Sequence, residues 1–236
     1  MDATPLLALL ATAAFIGTVH TLAGPDHYVP FIALSRARGW SAGRTTAVTL
    51  VCGVGHVGGS VALGAVGIAL GLALGHMEWI ESVRGGIAGW LLIGFGLAYA
   101  AWGVRRAYRN RPHRHWHAHR AGVVHEHEHV HDAGHVHVHE HTPASVTPWV
   151  LFVIFVFGPC ETLIPMLMVP AAEGSWGQVA LVTAVFGLCT LATMTAVVLA
   201  AYHGLARLSL GTAERWSHAL AGLALAACGA AIQLGL

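Results

Sequence analysis

Six apolar stretches, residues 5–23, 45–74, 85–107, 147–171, 177–204 and 215–235, are each long enough to cross roughly 30 Å of hydrocarbon. No water is available inside a bilayer to satisfy backbone N–H and C=O groups, so those groups must pair within the chain. Runs of this length meet that demand as helices. Composition agrees, with 56% hydrophobic and 10% charged residues against about 25% charged in soluble domains. The expected fold is all-α, a polytopic membrane protein with six transmembrane helices. A formal net charge of +1 gives a nucleic-acid partner no support. Nothing at the N-terminus resembles a cleavable signal peptide, because Met1-Asp2 offers no basic region before the first apolar run.

Two of the six stretches are interrupted by proline. The first reads Gly17-Thr-Val-His20-Thr-Leu-Ala-Gly24-Pro25-Asp26-His27-Tyr-Val-Pro30. In an unbroken helix His20 and His27 would lie roughly 10 Å apart along the axis, too far for one metal ion. Pro25 lacks an N–H and clashes with the preceding turn, and Gly24 permits unusual dihedrals. A break there predicts that His20, Asp26 and His27 meet around a cation. Two imidazoles and a carboxylate suit a borderline divalent ion such as nickel, cobalt or zinc. The plainer alternative is a helix-end histidine with Asp26 as the N-cap of the next helix. The second break is Gly158-Pro159-Cys160-Glu161. Cys160 and Glu161 are candidate ligands facing the first set. Alternatively Glu161 caps a helix beside an inert thiol, or it couples protons to transport.

His56 lies mid-way along the second stretch, with Cys52 and Ser60 one turn to either side on the same face. It is either a further ligand or a core histidine bonded to a backbone carbonyl. Thr190, Thr193 and Met194 of the fifth stretch either line a pathway or bond within their own helix. Trp40, Trp79, Trp149, Trp176 and Trp216 read as interface anchors.

The halves of the chain resemble each other. Gly24-Pro25-Asp26-His27, Pro30 and Gly39-Trp40 match Gly158-Pro159-Cys160-Glu161, Pro165 and Ser175-Trp176. Gly89 and Gly96 match Gly222 and Gly229, and His56 falls opposite Thr190. Three spans per unit is an odd number, which predicts a 3+3 inverted repeat with helices 1 and 4 broken, an arrangement that places transporter sites near the midplane. The units are residues 1–109 and 147–236, separated by a polar loop at 110–146. Eleven of the twelve basic residues, all arginine, flank the loops on one side; Arg84 is the exception, beside Glu78 and Glu81. The positive-inside rule makes the arginine-rich side cytoplasmic and puts both termini outside a plasma (inner) membrane.

The loop carries twelve of the eighteen histidines: His113, His115, His117, His119, His125, His127, His129, His131, His135, His137, His139 and His141. Period-two histidine is a metal-binding composition. It reads as a buffer, sensor or delivery strip, expected to be mostly disordered without metal. The plainer alternative is a solvated linker.

The His-x5-Asp-His motif of the first span resembles the His-x4-Asp-His signature of nickel/cobalt transporters, one residue longer here. The six-span layout, the Gly-Pro-Cys-Glu element and the histidine-rich loop are similar to those of the NicO/UreH-like membrane proteins. That superfamily also holds the TauE-like sulfite exporters and the cytochrome c biogenesis membrane domains. The resemblance implies transport of nickel or cobalt, with His20, Asp26 and His27 as ligands. It also implies a metallochaperone or metalloenzyme maturation protein as a partner, beside the lipid bilayer and the metal itself.

The reading is therefore a permease for a divalent transition metal, with no prosthetic group and no enzymatic activity. The alternative is a thiol–disulfide electron carrier, which needs two thiols that can meet. Cys160 would be one, but the matched position holds Asp26, so Cys52 or Cys189 would have to serve. A third reading, an intramembrane metalloenzyme, lacks an HExxH motif.

Overall fold

A computed structural model describes residues 3–109, 113–118, 124–129, 146–160, 162–206 and 211–235. Among the described residues, five helices are long and apolar enough to cross a membrane. Four fall within α1 (Ala3–Ala23), α3 (Ala42–Ala69), α4 (Leu74–Arg109) and α7 (Trp176–Ala206), and the fifth, Glu214–Gln233, joins the end of a 3-10 turn to α8 (Ser217–Gln233). Three shorter helices complete the body: α2 (Val29–Arg38), α5 (Val146–Phe157) and α6 (Leu163–Ala172). The stretch read as one span at 147–171 is thus two half-length helices, α5 and α6, on either side of Gly158-Pro159. Many large apolar side chains lie on the outside of the bundle, with Phe15 68% and Leu188 67% exposed. This is the surface of a protein whose surroundings are lipid, with polar groups turned inward.

The first break follows from its residues. Gly24 precedes a proline, which disfavours helical dihedrals, and it is extended with φ −90° and ψ 99°. Pro25–His27 then make a single 3-10 turn before α2 begins. That helix ends at Gly39, whose φ of 62° is the left-handed conformation that closes helices. Ser41 caps the next one, its Oγ accepting from the Arg44 N–H at 3.2 Å.

Packing joins the halves crosswise. α1 lies on α7 and α5 on α3, while α4 and α8 form the most extensive pair. α4 and α8 cross with backbones nearly touching: a Cβ on Gly96 would stand 2.7 Å from Gly222 O, and one on Gly229 would stand 2.6 Å from Gly89 O. Residue numbers rise along one helix as they fall along the other, so the pair is antiparallel.

Trp40, expected as an interface anchor, is instead 5% exposed in the core, and the Tyr202 hydroxyl donates to its carbonyl at 3.1 Å. Trp79, Trp149 and Trp176 do lie on the surface. In the loop, β1 (His113–Ala118) pairs antiparallel with β2 (Val124–His129). His113, His115 and His117 stand opposite His129, His127 and His125 in this register, where no regular structure is expected from sequence. His119, His131, His135, His137, His139 and His141 lie outside the described residues.

Candidate metal centre

The first break does bring its histidines together. The rings of His20 and His27 are 4.7 Å apart, and His56 of α3 closes the group, its ring 4.9 Å from that of His27. One nitrogen from each of the three lies within 4.8 Å of the others. His27 Nε2 and His56 Nε2 are 3.3 Å apart. Two imidazole ligands on a tetrahedral ion with bonds of 2.0–2.1 Å would stand about 3.4 Å apart. This edge of the site is therefore already at ligand spacing.

Asp26, read from sequence as a ligand, stands outside this group of three nitrogens and against the far side of the His27 ring. Its Oδ1 is 3.3 Å from His27 Nδ1, and Gly24 O accepts at the same nitrogen at 3.1 Å. Two acceptors at Nδ1 fix the proton there and leave the Nε2 lone pair facing His20 and His56. A carboxylate behind a ligating imidazole orients the ring and raises its basicity. The N-cap alternative does not hold, since the N-cap position of α2 is Tyr28 and no side chain caps the helix. His56 likewise bonds another imidazole, where the plainer reading gave it a backbone carbonyl.

Both break glycines abut the imidazoles. A Cβ on Gly24 would lie 2.5 Å from His27 Nδ1, and one on Gly158 would lie 2.9 Å from His56 Nδ1. These positions need glycine for the approach of the rings as well as for the breaks themselves. Cys160 is fully buried at the second break, with Sγ 4.0 Å from His20 Nε2. Glu161 lies outside the described residues.

A cavity of about 510 Å³ reaches the group, lined by His20, Asp26, His27, Ser82, Pro159, Thr162 and Gln233 among others. It lies where α4 begins and α8 ends. On another side of the group the rings of Phe31 and Phe155 pack 4.7 Å apart, with Phe155 6.3 Å from His56.

No protein-family profile, curated protein or solved structure matches this chain. The case for a metal centre rests on its own residues.

Sequence reasoning missed two charged residues at the second break. Glu81 and Arg84, read as surface charges before the third stretch, belong to α4 and lie inside the bundle. Glu81 is 0% exposed and pairs with Arg84 Nη1 at 3.0 Å. Glu81 is therefore a buried acid within a membrane-length helix. The missed signal was Glu-x-x-Arg, a one-turn spacing at which the two side chains neutralise each other on a helix that starts early.

Proposed function

We propose that this chain is a membrane transporter of a divalent transition metal, with nickel or cobalt as the first candidates and zinc as the third. The observation that carries the reading is the convergence of His20, His27 and His56 beside a cavity, with Asp26 behind His27. Neutral imidazole suits nickel, cobalt and zinc alike. An ion entering the cavity would exchange water for these nitrogens. It would leave by motion of one half of the molecule against the other. Nickel and cobalt specificity, and membership of the NicO/UreH-like group, rest on the His-x5-Asp-His motif and the broken-helix layout.

The proposed architecture is the 3+3 inverted repeat, counting α1–α2 and α5–α6 as two broken spans. Helix contacts support it. Gly89 matches Gly222 and Gly96 matches Gly229, and the contacting pairs are Gly89 with Gly229 and Gly96 with Gly222. Exchanging the repeats turns one contact into the other, as a two-fold axis between α4 and α8 would. The arginine distribution supports an inner-membrane orientation with both termini outside and the histidine-rich loop cytoplasmic. There the loop would hold metal for a metallochaperone or maturation protein. The thiol–disulfide reading is weaker because the group that faces Cys160 Sγ is the His20 imidazole.

The test is accumulation of radioactive nickel and cobalt in cells making the wild type or an Asp26→Ala/His27→Ala double variant at equal level. Higher accumulation with the wild type means import, lower accumulation means export, and either difference should vanish in the variant. Equal accumulation in both strains for both metals, repeated with zinc, would remove the proposal.

A further inference from the structure

A helix broken inside a membrane leaves carbonyls without partners at the end of its first half and N–H groups without partners at the start of its second. Those ends carry opposite partial charges. At the second break both are met by α4. Arg84 Nη2 donates to Gly158 O at 2.8 Å, at the negative end of α5. Glu81 Oε2 accepts the Cys160 N–H at 3.3 Å, ahead of α6. Ser60, one turn beyond His56 on α3, accepts from Arg84 Nη2 and donates to Glu81 Oε2 at 3.4 Å. Two neutralised charges on one turn of α4 thus tie the backbone of Cys160 to the helix that carries His56. The thiol so held stands 4.0 Å from His20 Nε2. A thiolate and an imidazole sharing a tetrahedral ion, with bonds of about 2.3 and 2.0–2.1 Å, would stand about 3.6 Å apart.

We propose that Glu81 and Arg84 are positioning residues that hold Cys160 Sγ next to His20, as the fourth donor of the site that His20, His27 and His56 form. The inference rests on the metal reading above and sharpens its cargo. Three nitrogens and one sulfur in a tetrahedron favour cobalt and zinc over nickel, which prefers square-planar or octahedral surroundings.

Cobalt(II) titration of the purified full-length protein tests it, because thiolate-to-cobalt charge transfer absorbs where imidazole ligands do not. The histidine-rich loop contains no cysteine, so it cannot produce that band. The wild type should show the band, and Cys160→Ser should abolish it. Arg84→Ala should weaken cobalt affinity by about 10–100-fold, the usual effect of losing support behind a ligand, and should lose the band even when saturated. Millimolar guanidinium added to Arg84→Ala should restore the band, and Arg84→Lys should recover it in part. A purely structural role would lower the yield of folded protein but leave the band per bound cobalt unchanged, and that result overturns the proposal. If Arg84→Ala cannot be purified, Glu81→Gln serves; a wild-type spectrum in that variant equally overturns the idea. A wild type without the band, whose remaining cobalt spectrum changes in His56→Ala, would keep the metal reading and remove Cys160 and its supports. Cobalt spectra indifferent to both Cys160→Ser and His56→Ala would remove the metal reading itself.

Discussion

At His27 the division of labour between ligand and support comes down to one imidazole ring. Its Nε2 faces His56, and its Nδ1 is held by Asp26 and Gly24 O. Replacing the two groups should therefore have different consequences. His56→Ala removes a donor and should abolish saturable metal binding at the membrane site. Asp26→Asn keeps the size of the side chain but removes its charge, and can present an N–H where His27 needs an acceptor. A loss of about 10–100-fold in affinity is expected, without a change in the number of ions bound. Equilibrium dialysis on a variant whose loop histidines are replaced by alanine would measure both. An Asp26→Asn protein that loses the site entirely would make Asp26 a direct ligand. The partners at the first break were legible in the sequence because Gly24-Pro25 is a local instruction, and local instructions need no knowledge of the fold. Their ranking was not legible. Asp26 and His27 are adjacent, and nothing in their order says which one faces His56.

Element boundaries explain what else the sequence hid. The apolar run at 85–107 marks where α4 is greasy, but the helix starts at Leu74 and carries Glu81 and Arg84 into the bundle. A hydropathy reading treats such a pair as the end of a span, because either charge alone would be costly there. Only the second break, more than seventy residues away, gives the pair its purpose. The stability consequence is specific. Arg84→Ala leaves the Glu81 carboxylate buried without its cation, and about 3–5 kcal/mol should be lost. The apolar double variant Glu81→Leu/Arg84→Met should recover much of that loss in thermal unfolding, while still lacking the support for Cys160. If the double variant is no more stable than Arg84→Ala, the loss lies in the unpaired ends of α5 and α6 and the buried charge is secondary. The α4–α8 crossing makes a second prediction. Gly96 and Gly222 face each other across it, and a Cβ on Gly222 would stand 2.6 Å from Gly96 O. Gly222→Leu should push the helices apart and cost at least the 1–3 kcal/mol typical of overpacking. Gly86, where a Cβ meets nothing within 4 Å, should accept alanine with little change. Thermal unfolding of the two variants in one detergent compares them directly, and equal melting would remove close packing as the reason for these glycines.

Across the whole molecule the surroundings of the three imidazoles are uneven. The cavity reaches His20 and His27 from where α4 begins and α8 ends. Elsewhere Phe155 of α5 lies 6.3 Å from the His56 ring and packs at 4.7 Å on Phe31 of α2, both phenylalanines buried. The two phenylalanines come from different halves of the chain, and each lies within one or two turns of a break. A motion that parts the halves would therefore part the rings. On the proposed transport reading, an ion held at the imidazoles would reach water through the cavity and meet its hydrocarbon barrier at the aromatic pair. Removing the barrier while keeping the ligands should convert gated transport into leak. Phe31→Ala/Phe155→Ala should raise the flux of cobalt or zinc through proteoliposomes several-fold, read by a metal-sensitive dye trapped inside. The extra flux should be abolished by adding His56→Ala, because a leak through this site must pass its ligands. Flux that rises equally with or without His56 would mean that the substitutions only loosened the bundle. Flux that does not rise at all would place the barrier somewhere other than the aromatic pair.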